Sequence, residues 1–94
     1  MQHPSYAVFW DGPGGERYAG RLELLPGGAV LTGGAGRERT EEAISFEDVT
    51  GVRLGNGRLD IRRRAGRALS LGNLDGPGAL RELADRLTTG VAPA

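Results

Sequence analysis

The run Val52-Arg53-Leu54-Gly55-Asn56-Gly57-Arg58-Leu59-Asp60-Ile61 reads as two halves of one hairpin. Asn56-Gly57 is the favoured dipeptide of a type I′ turn, because both central residues need positive φ. A two-residue loop there opposes Leu54 to Leu59 and Val52 to Ile61, so four apolar side chains share one face. Past Ile61, a three-residue loop Arg64-Ala65-Gly66, with Gly66 in the left-handed position, opposes Ile61 to Leu69 and Leu59 to Leu71. A two-residue loop would set Asp60 against Leu71 and mix the faces. Turn chemistry and burial thus select the same register twice.

Working back toward the N-terminus, Tyr6-Ala7-Val8-Phe9-Trp10 is an aromatic, β-branched strand that Asp11-Gly12-Pro13-Gly14-Gly15 stops, a flexible connector. Arg21-Leu22-Glu23-Leu24 alternates polar and apolar, the signature of a half-buried strand. Pro26-Gly27-Gly28 turns the chain into Ala29-Val30-Leu31-Thr32, and either Leu24 or Leu25 can supply the inward position of that hairpin. Gly33 to Glu42 is expected to be a loop. Ala43-Ile44-Ser45-Phe46 follows as a short strand with Ile44 and Phe46 on one face, and Glu47-Asp48 breaks it before Val49 to Leu54.

Toward the C-terminus, Leu80, Leu83, Ala84 and Leu87 fall on one helical stripe, predicting an amphipathic helix over 78–89. Asp75 is the expected N-cap, with Pro77 in the first turn, and Gly90 and Pro93 stop the helix. Residues 90–94 are expected to fray, leaving an ordered core of about 6–89.

Ninety-four residues fit one domain spanning 1–94, and the absence of cysteine excludes disulfides and thiolate metal sites. No apolar run approaches the ~20 residues of a membrane span. Met1-Gln2-His3-Pro4 lacks the basic start and apolar stretch of a signal peptide, so a cytoplasmic location is expected. Twelve basic residues balance twelve acidic ones, which argues against nucleic acid as a partner. Every basic residue is arginine, and with 17 glycines this suggests a GC-rich bacterial genome.

The strand order followed by one terminal helix resembles the pleckstrin-homology-like superfold, especially its bacterial and GRAM-type branches. The residues that carry the resemblance are Gly20 to Leu24, Ile44 to Val52, Gly57 to Ile61, Leu69-Ser70-Leu71 and Leu80-Arg81-Glu82-Leu83. It implies a mainly β fold: a partly open barrel of about seven antiparallel strands, in two nearly orthogonal sheets, capped by the C-terminal helix. That superfold hosts lipid binding, peptide binding and scaffolding alike. Its phosphoinositide binders hold phosphate with basic residues around the first hairpin loop. Here that loop, Asp11 to Glu16, has acidic ends and no basic residue before Arg17.

Arg62, Arg63, Arg64 and Arg67, with Arg53 and Arg58 nearby, are the one concentrated charge feature. They are candidates for binding an anionic lipid headgroup or an acidic partner, since guanidinium pairs bidentately with phosphate and carboxylate. The plainer reading is a solvated hairpin whose charge protects an exposed strand from edge pairing. Tyr6, Val8 and Trp10 share a face opposite Ala7 and Phe9. Core packing is favoured for them, and the alternative is a homodimer interface. No cofactor, metal or catalytic set is expected. The single His3 sits at the N-terminus, the serines lack a base, and Glu41, Glu42, Glu47 and Asp48 lack EF-hand spacing. The Gly12–Gly15 and Gly33–Gly36 stretches open no predicted helix, so they are connectors rather than phosphate loops. The expected function is a non-enzymatic binding or scaffolding domain. A protein partner would add a strand at an exposed sheet edge or groove beside the helix. The alternative is peripheral membrane binding through the Arg62–Arg67 hairpin.

Overall fold

Seven antiparallel strands and a C-terminal helix form from this pattern in a computed structural model describing residues 3–12, 14–76 and 78–91. The strands are β1 (Ser5–Asp11), β2 (Arg17–Leu25), β3 (Gly28–Ala35), β4 (Glu38–Ser45), β5 (Val49–Gly55), β6 (Arg58–Arg63) and β7 (Leu69–Asn73). A 3₁₀ turn, Phe46–Asp48, joins β4 to β5, and helix α1 spans Ala79–Val91. The strands lie in the order β4-β3-β2-β1-β7-β6-β5, so β4 and β5 are the two edges. The two orthogonal sheets expected from the sequence are one continuous sheet, because β1 pairs with β7 at Val8–Asn73 and Phe9–Gly72.

The two C-terminal hairpins have the expected register. Leu54 opposes Leu59 and Val52 opposes Ile61, around Asn56 (φ 53°) and Gly57 (φ 73°). Leu59 opposes Leu71 and Ile61 opposes Leu69, and Leu59, Ile61 and Leu71 are fully buried. Leu24, not Leu25, points inward from β2. Leu80, Leu83, Ala84 and Leu87 of α1 close over this interior.

Several local expectations are corrected. Gly33 to Glu42 is not a loop: β3 runs on to Ala35, β4 begins at Glu38, and only Gly36-Arg37 turns, with Gly36 at φ 60°. A first-position glycine with positive φ is the requirement of a type II′ hairpin turn. Phe46 leaves the strand for the 3₁₀ turn, whose N-cap Ser45 accepts a hydrogen bond from the Glu47 N–H at 3.3 Å. The connection between β6 and β7 is the five residues Arg64 to Ala68 rather than a three-residue loop, and Gly66 is not among the positive-φ glycines. A Cβ there would meet the Arg63 guanidinium, so close approach is what needs glycine. Asp75 does not cap the helix; its Oδ2 accepts from the Ala7 N–H at 3.0 Å, tying the entry of α1 to β1. Gly90 and Val91 continue the helix rather than fray, since the Gly90 backbone lies against the Phe46 ring. Pro77 and residues 92–94, where the rest of the fraying was expected, lie outside the described residues.

Candidate functional site

Strand parity disperses the six candidate arginines. Leu59 and Ile61 face the core, so Arg58 and Arg62 face outward from β6 and Arg63 faces inward. Arg53 projects outward from β5, opposite Asp60. Arg64 and Arg67 lie exposed in the loop before β7. Within the Arg62–Arg67 segment, Arg63 is therefore turned away from the exposed Arg62, Arg64 and Arg67.

Two of the six are structurally engaged. The Arg63 side chain is only 6% exposed and pairs with the half-buried Glu42 carboxylate, while its Nε donates to the Arg67 carbonyl at 2.9 Å. Arg58 donates from Nε to Ser70 Oγ at 3.3 Å and lies 3.7 Å from Asp11 Oδ2. Both Arg58 and Arg17 sit over the Phe9 ring, at 5.1 and 4.6 Å from its centroid. Phe9 in turn lies on Gly72, where a Cβ would strike the ring. These cations cover the outer aromatic of β1, and sequence reasoning missed the cluster because Asp11, Arg17 and Arg58 come from three strands.

Tyr6, Val8 and Trp10 belong to the core and are not available as an interface; they are 6%, 1% and 3% exposed. The Tyr6 hydroxyl donates to Glu82 Oε2 at 2.6 Å, stitching β1 to α1. Burial, reinforced by that bond, pushes its pKa up to about 12. Trp10 stacks on Tyr18 at 5.8 Å between centroids, and Tyr18 donates to Glu38 Oε2 at 3.2 Å. Burial followed by the Glu38 bond raises the Tyr18 pKa. These rings, with Leu31, Thr40, Glu42 and Arg67, line a cavity of about 240 Å³ at the polar mouth of the sheet. Trp10 and Tyr18 expose so little surface that the cavity offers a ligand scant aromatic face.

The β5 edge offers more. Gly55 and Arg58 flank a two-residue turn and so form a hydrogen-bonded pair, and by alternation so do Arg53 and Asp60. The N–H and C=O groups of Val52 and Leu54 therefore point away from β6. Among the described residues neither finds a backbone or side-chain partner outside the sheet. A bulge between Val49 and Gly51 bends the strand, and beside it Thr50, Gly51, Val52, Arg53, Asp60 and Arg62 line an outer-face hollow of about 430 Å³. Gly51 and Asp60 were not singled out from the sequence. The signal was present in the glycine that interrupts the Val49–Leu54 strand.

Among the described residues no three histidine, aspartate or glutamate side chains gather as a metal site. No described helix is long and apolar enough to cross a membrane.

No family model matches the chain, and neither does any curated protein. Its fold is similar to a solved structure, the C-terminal domain of an unknown protein from Leishmania infantum. That likeness has a TM-score of 0.66 at 13% identity and covers 93% of this chain and 84% of the other. At that identity the shared property is the fold.

Proposed function

We propose that this chain is a non-enzymatic, pleckstrin-homology-like binding domain of the cytoplasm that engages a protein partner by accepting an extended segment alongside β5. The observation that carries this reading is the outward-facing backbone of Val52 and Leu54, an unpaired ladder at the edge of a curled sheet. Strand addition supplies main-chain hydrogen bonds, and side-chain pockets on alternate residues supply selectivity. A second copy is a poor occupant. Two β5 strands centred on Arg53 would set one Arg53 opposite another, a like-charge pair, and centred on Val52 they would need Leu54 to bond Thr50, which lies in the bulge.

A ¹⁵N-labelled sample titrated with a capped hexapeptide of alternating threonine and valine tests this reading. Amide shifts concentrated on residues 50–55 are expected. Shifts elsewhere, or none, would remove strand addition. Salt-sensitive sedimentation with anionic vesicles, lost on reversing Arg62 and Arg64, would instead favour the membrane reading.

A further inference from the structure

The hollow over Gly51 gives the β5 edge a chemical preference. Gly51 opposes Arg62 across the ladder, and both belong to the outer face. A Cβ at Gly51 would meet only Arg62 Cδ, at 4.0 Å, so the missing side chain leaves a gap bounded by Arg53 and Arg62. Asp60 is the single carboxylate in the lining, against two guanidinium groups. Among the described residues none of these three side chains makes an ion pair or a side-chain hydrogen bond, unlike Arg17, Arg58 and Arg63. The hollow thus has one unpaired positive charge in excess.

A strand laid along β5 alternates its own side chains. Residues opposite Val52 and Leu54 fall on the inner face, next to half-buried apolar groups that pack on the core. The residue opposite Gly51 falls on the outer face, over the gap. We infer that the β5 edge selects a protein segment carrying an acidic residue opposite Gly51 and apolar residues opposite Val52 and Leu54. The carboxylate enters the hollow and pairs with Arg62 and Arg53. The inference rests on strand addition at β5 and adds the class of segment that is accepted.

The probes are two capped hexapeptides, Thr-Val-Thr-Val-Glu-Thr and the same peptide with Gln in place of Glu, titrated into ¹⁵N-labelled protein. Run antiparallel, the valines lie opposite Leu54 and Val52 and the glutamate opposite Gly51. The glutamate peptide is expected to bind about three- to five-fold more tightly than the glutamine one, the scale of a solvent-exposed ion pair. Arg62→Glu should abolish that difference. Gly51→Val, which fills open space at a residue without positive φ, should weaken the glutamate peptide most. Equal binding of both peptides with shifts on β5 would overturn the acidic preference and leave strand addition standing. Absence of β5 shifts with either peptide would overturn both readings. A glutamate advantage that survives Arg62→Glu would also refute the site.

Discussion

The Arg63 guanidinium on β6 pairs with the Glu42 carboxylate on β4, although four strands separate β6 from β4 in the sheet. In a flat sheet those strands would stand about 24 Å apart, five spacings of about 4.8 Å. The pair therefore records how far the sheet curls and holds the curl across its polar mouth. Its partners differ in exposure, 6% for Arg63 and 33% for Glu42, so the arginine bears most of the desolvation.

Removing one partner should cost more than removing both. Glu42→Ala leaves a buried guanidinium unpaired and should lower stability by about 2–3 kcal/mol, less than the ~3–5 kcal/mol of a fully buried pair because Glu42 is partly solvated. Arg63→Met combined with Glu42→Leu should recover most of that loss. Urea denaturation of the full cycle checks it, and equal losses for the single and double variants would show that an unpaired guanidinium is not the source of the cost.

Gly72 and Phe9 should be coupled. Gly72→Ala alone drives a methyl into the Phe9 ring and disturbs the stack beneath Arg17 and Arg58. A loss of about 1–3 kcal/mol is expected, typical of overpacking. Phe9→Ala in the same chain should absorb the added methyl, making the double variant more stable than the sum of the two single effects. Thermal unfolding of the four proteins measures this.

Tyr6 should make stability fall at alkaline pH. Its folded pKa is raised from 10.0 to about 12, so between those values the unfolded chain has lost the proton that the folded chain retains. Stability from this group is complete below pH 10 and declines as pH rises toward about 12. Tyr6→Phe should flatten that decline and cost about 1 kcal/mol at neutral pH through the lost bond to Glu82. Denaturation midpoints of both proteins across that range decide it.

Leu83 seals the interior from the helix side and is fully buried. Leu83→Ala should cost about 2–5 kcal/mol by leaving a cavity under α1. If chemical denaturation showed a loss comparable to that of an exposed-site substitution, the helix would not be part of the core.

Where turn chemistry and alternation agreed, in the β5–β6 hairpin, the sequence was decisive, and between β6 and β7 alternation alone carried the register. Asn56-Gly57 demands its turn, and the apolar residues around it can share a face in one register only. The glycines misled where they serve packing rather than turning. Gly33 and Gly34 sit inside β3, opposite Thr40 and Arg39, and so made a paired strand look like a loop. Gly66 and Gly90 make room for the Arg63 guanidinium and the Phe46 ring, and neither contact is local in sequence. The arginine run looked like a single feature because linear spacing hides strand parity. Counting by twos from Leu59 and Ile61 already places Arg63 inside, apart from Arg58 and Arg62. What no local pattern carries is which strand becomes an edge. That depends on β1 pairing with β7, a contact between opposite ends of the chain.

Residue-resolved hydrogen exchange along β5 tests the free edge most directly. Arg53 and Gly55 amides should be protected by their bonds to β6, while Val52 and Leu54 amides, interleaved with them, should exchange orders of magnitude faster. Protection of Val52 and Leu54 equal to that of Arg53 and Gly55 would mean that the edge is already occupied, and strand addition there would be contradicted.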